Sequence, residues 1–278
     1  MISFSTVLLD GMNLEAGLRQ MAKAGSLWVE PVFIEGYMAF DETDFVAAKG
    51  RALAALIADC GLSVRAMSAH TDLGLDTSAD SLLRRLEFAQ GLGARILISN
   101  ATTVQRRAML DTTLARCLPE FHAAGMVLAL ENPGHGRDAL IPDGAAGAAL
   151  LAQFEDAALR LNYDIGNALT YGARSLGLLG DLRAALPWTA HLHLKDVQVV
   201  GEDWTFCAIG AGSVGYDTAV ASLVPLGMAM GVEVPLRLWR PGRGDPVRRS
   251  APVLPQAVVR TVSESLAALA ALGLSNRA

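Results

Sequence analysis

Three residues of metal-binding type end consecutive apolar segments of this chain. Glu131 follows MVLAL, Asp164 follows ALRLNY, and His193 lies within AHLHLK. Polar side chains after apolar segments are costly to bury without partners, which favours one shared site. Two carboxylates and an imidazole suit Mn²⁺, Mg²⁺, Co²⁺ or Zn²⁺. We therefore predict a divalent metal site at these residues. The alternative is a hydrogen-bonded polar plug at the rim of the fold.

The elements that must bring these residues together alternate along the chain. Short β-branched or alternating runs precede longer segments of helical periodicity, an order typical of a parallel sheet wrapped by helices. Glycines stand where helix ends need left-handed backbone, at Gly25, Gly61, Gly93 and Gly125. The predicted strands are Ser3–Leu9, Leu27–Phe33, Ser63–His70, Arg95–Asn100, Met126–Glu131, Arg160–Asp164, Ala190–Lys195 and Val232–Trp239.

Eight strand-helix units predict an α/β fold, a single-domain (β/α)₈ barrel over residues 1–278. A doubly wound sheet is the competing architecture, but it usually has a Gly-rich turn after its first strand, and LLDGMN is not one. The stretch RPGRGDPVRRSAPVLP is predicted to be a flexible loop. In this barrel, catalysis occurs where the carboxyl ends of the strands meet.

Other polar residues are expected at the same mouth. His191 and Lys195 share the face of His193, because strand side chains repeat every two residues, although either is compatible with a core role. Lys195 and His70 are catalytic candidates, with packing at a strand tip as the alternative for His70. His122 is predicted to face solvent, while His135 lies in a loop that can reach the mouth. The substrate-binding candidates are Glu30, Asn100, Asn132, Asn167, His191 and Trp239.

The composition limits the partners of the protein. A net charge of -5 and scattered basic residues disfavour nucleic-acid binding, which leaves a small-molecule substrate. Three cysteines without CxxC spacing indicate free thiols in a reducing cytosol. Neither a signal peptide nor a membrane span is evident, so the prediction is a soluble cytoplasmic protein. The oligomeric state, including a homo-oligomer, stays open.

Four motifs resemble one family, the xylose isomerase-like sugar phosphate isomerase/epimerase barrels, which are related to metal-dependent AP endonucleases. They are LALENPGHG, LNYDIGNALTYG, HLHLKDV with its Asp196, and GAGSVGYDTAV, which is similar to the family loop G-x-G-x-x-x-[YFW]. The VEP segment at Glu30 and the strand ending in His70 also resemble the family. Their order and spacing cover nearly the whole chain.

The resemblance implies a metal bound by Glu, Asp, His and Glu at the ends of strands five to eight. The first three match Glu131, Asp164 and His193. Where relatives have L-x-L-E-L-H-R-P, this chain reads VPLRLWRP, which places Arg237 at the expected glutamate. Glu233, four residues earlier, is predicted about 13 Å deeper in the barrel. Arg237 there would oppose a cation and favour an anionic oxygen.

Family isomerases and epimerases are understood to bind a hydroxy-ketone through the metal while two glutamates move the proton beside its carbonyl. Three outcomes follow for this chain. In the first it is a metal-dependent isomerase or epimerase with Glu131 as base and with Glu233, water or substrate as the fourth ligand, a divalent metal being expected but not required by the sequence. In the second it is a one-base dehydratase or lyase on a polyol or keto acid, with Glu131 as base and Arg237 as an anion clamp. In the third it is a catalytically inactive metabolite-binding or partner protein on the same scaffold. A nuclease is disfavoured, because the fourth strand ends in ISNATT without a further histidine.

Overall fold

The computed structural model describes residues 1–35, 40–133, 138–171, 176–217, 221–222, 224–225 and 227–274. The strands are β1 Ile2–Ser5, β2 Trp28–Glu30, β3 Val32–Phe33, β4 Ser63–Val64, β5 Ala66–Ala69, β6 Ile96–Asn100, β7 Val127–Glu131, β8 Leu159–Asp164, β9 Thr189–Leu194, β10 Asp196–Val200, β11 Asp203–Cys207, β12 Ala229–Val232, β13 Leu238–Arg240 and β14 Val247–Arg248. The α-helices are α1 Leu14–Lys23, α2 Ala47–Asp59, α3 Ser78–Leu92, α4 Arg107–Ala124, α5 Gly144–Leu151, α6 Ile165–Tyr171, α7 Gly177–Ala185 and α8 Pro255–Ala271. Short 3-10 helices are Thr6–Leu9, Glu42–Asp44, Val104–Arg106, Leu186–Trp188 and Pro241–Arg243.

Ten strand segments form one parallel ring. Their order is β3-β5-β6-β7-β8-β9-β12-β1-β2-β4. The ring closes because β2 pairs with β1 and β4 while β3 pairs with β5, so the second and third barrel strands each consist of two segments. Pro31, which has no N–H for a strand ladder, separates β2 from β3. These strands and the intervening helices confirm the predicted (β/α)₈ barrel.

Helix ends follow the local signals in the sequence. The side chain of Asn13 accepts a hydrogen bond from the N–H of Ala16 at 3.1 Å, and Asp143 caps Ala146 at 2.8 Å. The predicted left-handed glycines are confirmed, with φ between 61° and 99°, at Gly25, Gly61, Gly93 and Gly125. None of the described helices combines the length and apolar character needed to cross a membrane.

The two faces of β7 pack into different apolar clusters. Leu128 and Leu130 of β7 belong to the large core, whereas Ala129 packs in a small separate cluster with Ile96 and Ile98 of β6. Since side chains alternate along a strand, Glu131 shares the face of Ala129. This face of β7 therefore carries an apolar side chain below and the polar Glu131 at the mouth.

A second sheet corrects the predicted end of the barrel. β10, β11, β13 and β14 form a four-stranded antiparallel sheet that begins directly after Lys195. The predicted eighth strand Val232–Trp239 is wrong, because the barrel strand ends at Val232 and Leu238–Arg240 pairs with β11 instead. Pro235 cannot donate to a ladder, which explains the early end. Part of the predicted flexible loop is also ordered as β14.

Candidate metal centre and active site

Four buried side chains meet where adjacent barrel strands end. Glu131, Asp164 and His193 lie at the ends of β7, β8 and β9, and Glu233 directly follows β12. One potential ligand atom from each residue lies within 4.8 Å of those of the other three. The three predicted ligands therefore converge, and Glu233 joins them as a fourth.

Glu233 takes the place that the sequence assigned to Arg237. Val232 pairs with Leu194, and the N–H of Glu233 donates to the Leu194 carbonyl at 3.0 Å, so Glu233 lies at the strand tip. The depth of about 13 Å predicted for it is wrong because the strand ends earlier than predicted. Arg237 instead binds Asp10, with Nη1 donating to Oδ1 at 3.0 Å. Its predicted placement beside the metal is also wrong.

The orientation of His193 is set by Glu30, which lies beneath it. His193 Nε2 is 2.8 Å from Glu30 Oε1, and Ser68 donates to the same oxygen at 2.8 Å. The other ring nitrogen, Nδ1, lies 3.2 Å from Glu131 Oε2 and 3.8 Å from Glu233 Oε2. A carboxylate that holds the far nitrogen of a histidine is a common support for a metal ligand. Nδ1 is therefore the nitrogen available to a metal.

Two neighbours complete this support. His191 Nε2 lies 3.2 Å from Glu30 Oε2, and Asn162 Oδ1 lies 2.8 Å from His191 Nδ1. Gly231 of β12 makes room for the group, because a Cβ there would lie 2.4 Å from Glu30 Oε2. Glu30, His191 and His193 also form a second set of compatible ligand atoms. We interpret this set as the hydrogen-bonded support of His193, since each carboxylate oxygen already has an imidazole partner.

Burial and charge pull the pKa values of these groups in opposite directions. Burial raises the pKa of Glu30, but the facing imidazoles of His193 and His191 outweigh it and hold the pKa well below its usual value. Burial lowers the pKa of His193, yet Glu30 and Glu131 raise it well above its usual value. The pKa of His191 is lowered, mainly by burial. The metal-free protein therefore holds a carboxylate-imidazolium pair under the site.

We expect Glu30→Gln to weaken Mn²⁺ binding by about 10–100-fold, the usual effect of losing such an outer partner. Glutamine keeps the size of the side chain but removes the charge that orients His193. Titration calorimetry of the metal-free protein measures the change. Glu15→Gln, whose carboxylate pairs with Arg19 on the surface, is the matched control. An unchanged affinity in Glu30→Gln would contradict this role.

Lys195 forms ion pairs with two of the four clustered residues, Asp164 and Glu233. Its Nζ lies 2.5 Å from Glu233 Oε2 and 2.7 Å from Asp164 Oδ2, and it donates to Asn167 Oδ1 at 3.2 Å. Burial, opposed by Lys195 and reinforced by Glu131, raises the pKa of Asp164 to about 6. Burial lowers the pKa of Lys195, but Asp164 and Glu233 more than reverse this and raise it. Lys195 is therefore an ammonium ion within the cluster.

The Gly-rich loop after β11 is held by the residue that follows Lys195. Asp196 Oδ2 accepts hydrogen bonds from the N–H groups of Gly210 at 2.9 Å and Gly212 at 3.0 Å. A Cβ at Gly212 would lie 2.2 Å from Asp196 Oδ1, so only glycine fits. This contact explains why the HLHLKDV and GAGSVGYDTAV motifs occur together.

A cavity of about 130 Å³ opens above the cluster. Glu131, Lys195 and Glu233 form part of its wall. Its other polar lining residues are His70, Asn100, Asn167 and Arg240. His70 Nε2 lies 3.4 Å from Glu131 Oε2, which brings this candidate to the site. Five predicted site residues therefore line one cavity: Glu131, His70, Lys195, Asn100 and Asn167.

Other predicted substrate-binding residues lie elsewhere. Glu30 and His191 are buried beneath the cluster. The side chain of Asn132 binds the backbone of Asp164: its amide group donates to the Asp164 carbonyl at 2.9 Å, and its oxygen accepts from the Asp164 N–H at 2.7 Å. Trp239 pairs with Thr205 in the small sheet. These four placements correct the expectation that they line the cavity.

On the surface, His122 Nε2 lies 2.8 Å from Asp156 Oδ1. His135 lies outside the described residues.

Sequence reasoning missed two residues of the site. Asn162 contacts both Glu131 Oε2, at 2.9 Å, and His193 Nδ1, at 3.0 Å, but an asparagine inside a strand carries no motif. Arg240 lines the cavity from the small sheet, which was not predicted. For Glu233 a signal existed, because Pro235 two residues later limits how far the strand can continue.

The donor set fits a divalent cation. Three carboxylates and an imidazole nitrogen lie close together, and carboxylate oxygens with imidazole suit Mn²⁺, Mg²⁺, Co²⁺ and Zn²⁺. Among the described residues, four buried carboxyl groups, including that of Glu30, contact two cationic side chains, Lys195 and His193. Such an excess of buried negative charge is unfavourable without a further positive charge. A bound cation would supply that charge.

Several solved structures share the fold of this chain. The chain is similar in structure to D-psicose 3-epimerase from Clostridium cellulolyticum H10, with 11% identity, a TM-score of 0.75, and 99% of each chain covered. It is also similar to an L-ribulose 3-epimerase (18% identity, TM-score 0.68, covering 98% of this chain and 94% of that one). A third similar structure is the probable 3-DHS dehydratase AsbF from Bacillus anthracis (14% identity, TM-score 0.66, 94% and 97% covered). No match is found among curated proteins.

At these identities the structural matches establish the fold alone. The profile of one family, described as xylose isomerase-like TIM barrel, matches residues 18–257 of the sequence. This range covers most of the chain and contains all four clustered residues. The chain therefore belongs to the xylose isomerase-like TIM barrel family.

Proposed function

We propose that this protein is a metal-dependent isomerase or epimerase that moves a proton beside the carbonyl of a small polyol ketone or keto-sugar. The observation that carries the proposal is the placement of Glu131 and Glu233 at the two ends of a four-strand arc, facing one cavity. Asp164 and His193 lie between them. Two carboxylates on either side of a cation site are what a two-base proton transfer needs.

Glu131 is the base in this proposal. Burial raises its pKa, but the nearby His193 and His70 outweigh this effect and lower the pKa to about 2, so Glu131 is an ionised carboxylate at neutral pH. The N–H groups of Asn162 and Asn167 hold its two oxygens at 2.9 and 3.2 Å. A bound divalent ion would polarise the carbonyl and acidify the neighbouring C–H. Glu131 would keep the proton that it removes, and Glu233, protonated beforehand, would deliver its own proton from the other side.

The lining of the cavity supports a small, oxygen-rich substrate. Its volume is below the range of about 300–1,000 Å³ usual for drug-sized ligands. His70, Asn100 and Asn167 offer hydrogen-bonding groups for hydroxyls.

Cys60, Cys117 and Cys207 are all free thiols, which supports a location of the protein in the reducing cytosol.

A one-base dehydratase is the second candidate. The ion pair of Lys195 with Glu233, at 2.5 Å, favours it, because a carboxylate held by an ammonium ion is a poorer proton acceptor. Glu131 would then remove the proton alone and pass it to the β-hydroxyl, which would leave as water. Arg240 lines the cavity where Arg237 was expected to bind an anion, so a carboxylated substrate is compatible with this reaction.

One experiment separates these functions from an inactive binding barrel. The Mn²⁺-loaded protein is incubated in deuterated water with a panel of ketoses and keto-polyols and followed by NMR. We expect deuterium beside the carbonyl, with an epimer or aldose product, and loss of exchange when EDTA removes the metal. Release of water with an unsaturated ketone or its diketone tautomer as product would indicate the dehydratase. Saturable binding of a substrate without exchange would contradict both enzymes.

A further inference from the structure

Lys195 is held against the metal-binding cluster by two carboxylates and one amide. Its Nζ forms ion pairs with Glu233 Oε2 at 2.5 Å and Asp164 Oδ2 at 2.7 Å, and it donates a hydrogen bond to Asn167 Oδ1 at 3.2 Å. Asp164 Oδ2 has no hydrogen-bond partner among the described residues, so its contact with Lys195 is an ion pair alone. The side chain is thus a cation inside the cluster.

The rest of Lys195 is also fixed. Its backbone N–H donates to the hydroxyl of Tyr216 at 2.9 Å, and that hydroxyl lies 3.3 Å from the Lys195 carbonyl. Gly166 leaves room for the stem, since a Cβ there would lie 2.7 Å from Lys195 Cβ and 3.0 Å from its Cγ. The fold therefore contains a slot for this one side chain.

The oxygens that Lys195 holds are those that a metal ion would use. Asp164 Oδ1 already accepts the N–H of Asn167 at 2.8 Å, which leaves Oδ2 for a cation. Glu233 Oε2 is the oxygen 3.8 Å from His193 Nδ1 and therefore faces the cluster. Lys195 contacts both of these oxygens. A divalent ion and this ammonium group consequently compete for the same atoms.

We propose that Lys195 is a positioning residue that serves as a built-in counter-ion for Asp164 and Glu233 and that a divalent ion displaces when it binds. The inference rests on the proposed metal-dependent function. The displaced ammonium group has one open side, the cavity that it already lines. Metal loading thereby exchanges one cation for another and turns Lys195 towards the substrate space.

The test is the affinity of Lys195→Met for Mn²⁺, measured by calorimetry on metal-free protein. We expect binding at least about tenfold tighter than in wild-type protein, because a positive charge beside two ligands has been removed. Without metal, the variant should melt at a lower temperature than wild type, since two buried carboxylates lose their partner. With saturating Mn²⁺ that deficit should vanish. A lysine with a merely structural role would lower the melting temperature in both states.

Lys49→Met, which removes a surface lysine paired with Asp44, is the matched control and should change neither quantity. Lys195→Gln repeats the measurement with a polar side chain should the methionine variant fail to fold. Equal or weaker Mn²⁺ binding in the variant that folds would overturn the inference. If wild-type protein binds Mn²⁺ but the Lys195 variant binds it no more tightly, the result contradicts the role of Lys195 and leaves the proposed function supported. If neither wild type nor variant binds any divalent ion, the proposed metal-dependent function falls, and this inference with it.

Discussion

Glu233→Ala is expected to bind Mn²⁺ at least about 100-fold more weakly than wild-type protein. Loss of an outer partner of a metal ligand costs about 10–100-fold, and Glu233 is one of the four residues that we propose as direct ligands. The substitution also leaves Lys195 with Asp164 as its carboxylate partner, at 2.7 Å, which further neutralises a second ligand. Both effects act in the same direction. Calorimetric titration of the metal-free variant measures the loss.

Arg237→Ala is the control that distinguishes the two residues of this segment. Arg237 binds Asp10 and the carbonyl of Ser250, so its loss should lower stability and leave Mn²⁺ affinity within about threefold of wild type. Arg248 also binds Asp10, which limits the damage. Tighter Mn²⁺ binding in Arg237→Ala together with unchanged binding in Glu233→Ala would contradict this placement. It would instead support the prediction from the sequence that Arg237 lies beside the metal.

Glu131→Gln is expected to slow substrate C–H exchange by about 10²–10⁴-fold at saturating Mn²⁺, the usual contribution of a general base. The amide keeps an oxygen beside Asn162 but cannot accept a proton at neutral pH. Metal affinity will also fall, so the comparison is made at a metal concentration that saturates both proteins. NMR in deuterated water measures the exchange rate.

Glu120→Gln, an exposed change on α4, is the control for this measurement and should leave exchange unchanged. Glu233→Gln provides the contrast within the site. In a two-base enzyme it slows formation of the epimer, while in a one-base dehydratase it leaves proton removal largely intact. Exchange that persists in Glu131→Gln but is lost in Glu233→Gln would move the role of base to Glu233.

The predictions that held depend on short stretches of sequence. Glu131 and Asp164 each follow an apolar run, and parallel strands bring their carboxyl ends to one edge whatever their exact register. Gly93 and Gly125 end their helices because a left-handed residue is needed at that point in the chain. Such signals are local, so they can be read without a partner strand.

The predictions that failed depend on partners distant in sequence. The run VEVPLRLW continues to alternate, and although Pro235 limits its length, the last paired residue, Val232, is set by the partner strand that ends at Leu194. Glu30 was expected to bind substrate, but it lies beneath two histidines more than 160 residues away, an arrangement that no motif reveals. The ordered sheet around Arg240 was likewise missed. Its β10–β11 and β13–β14 pairings are local, but Arg240 enters the sheet by pairing with Trp204, which is distant in sequence.

The amino-acid sequence specified the barrel and three of the four clustered residues, because alternation, helix ends and strand tips are properties of neighbouring residues. The register of the eighth strand, the placement of Lys195 between Asp164 and Glu233, and the support of His193 by Glu30 arise when distant segments pack. These contacts depend on the residue at which each strand ends. Pairing with neighbouring strands, which are far away in the sequence, sets that residue, so it is decided only when the barrel closes.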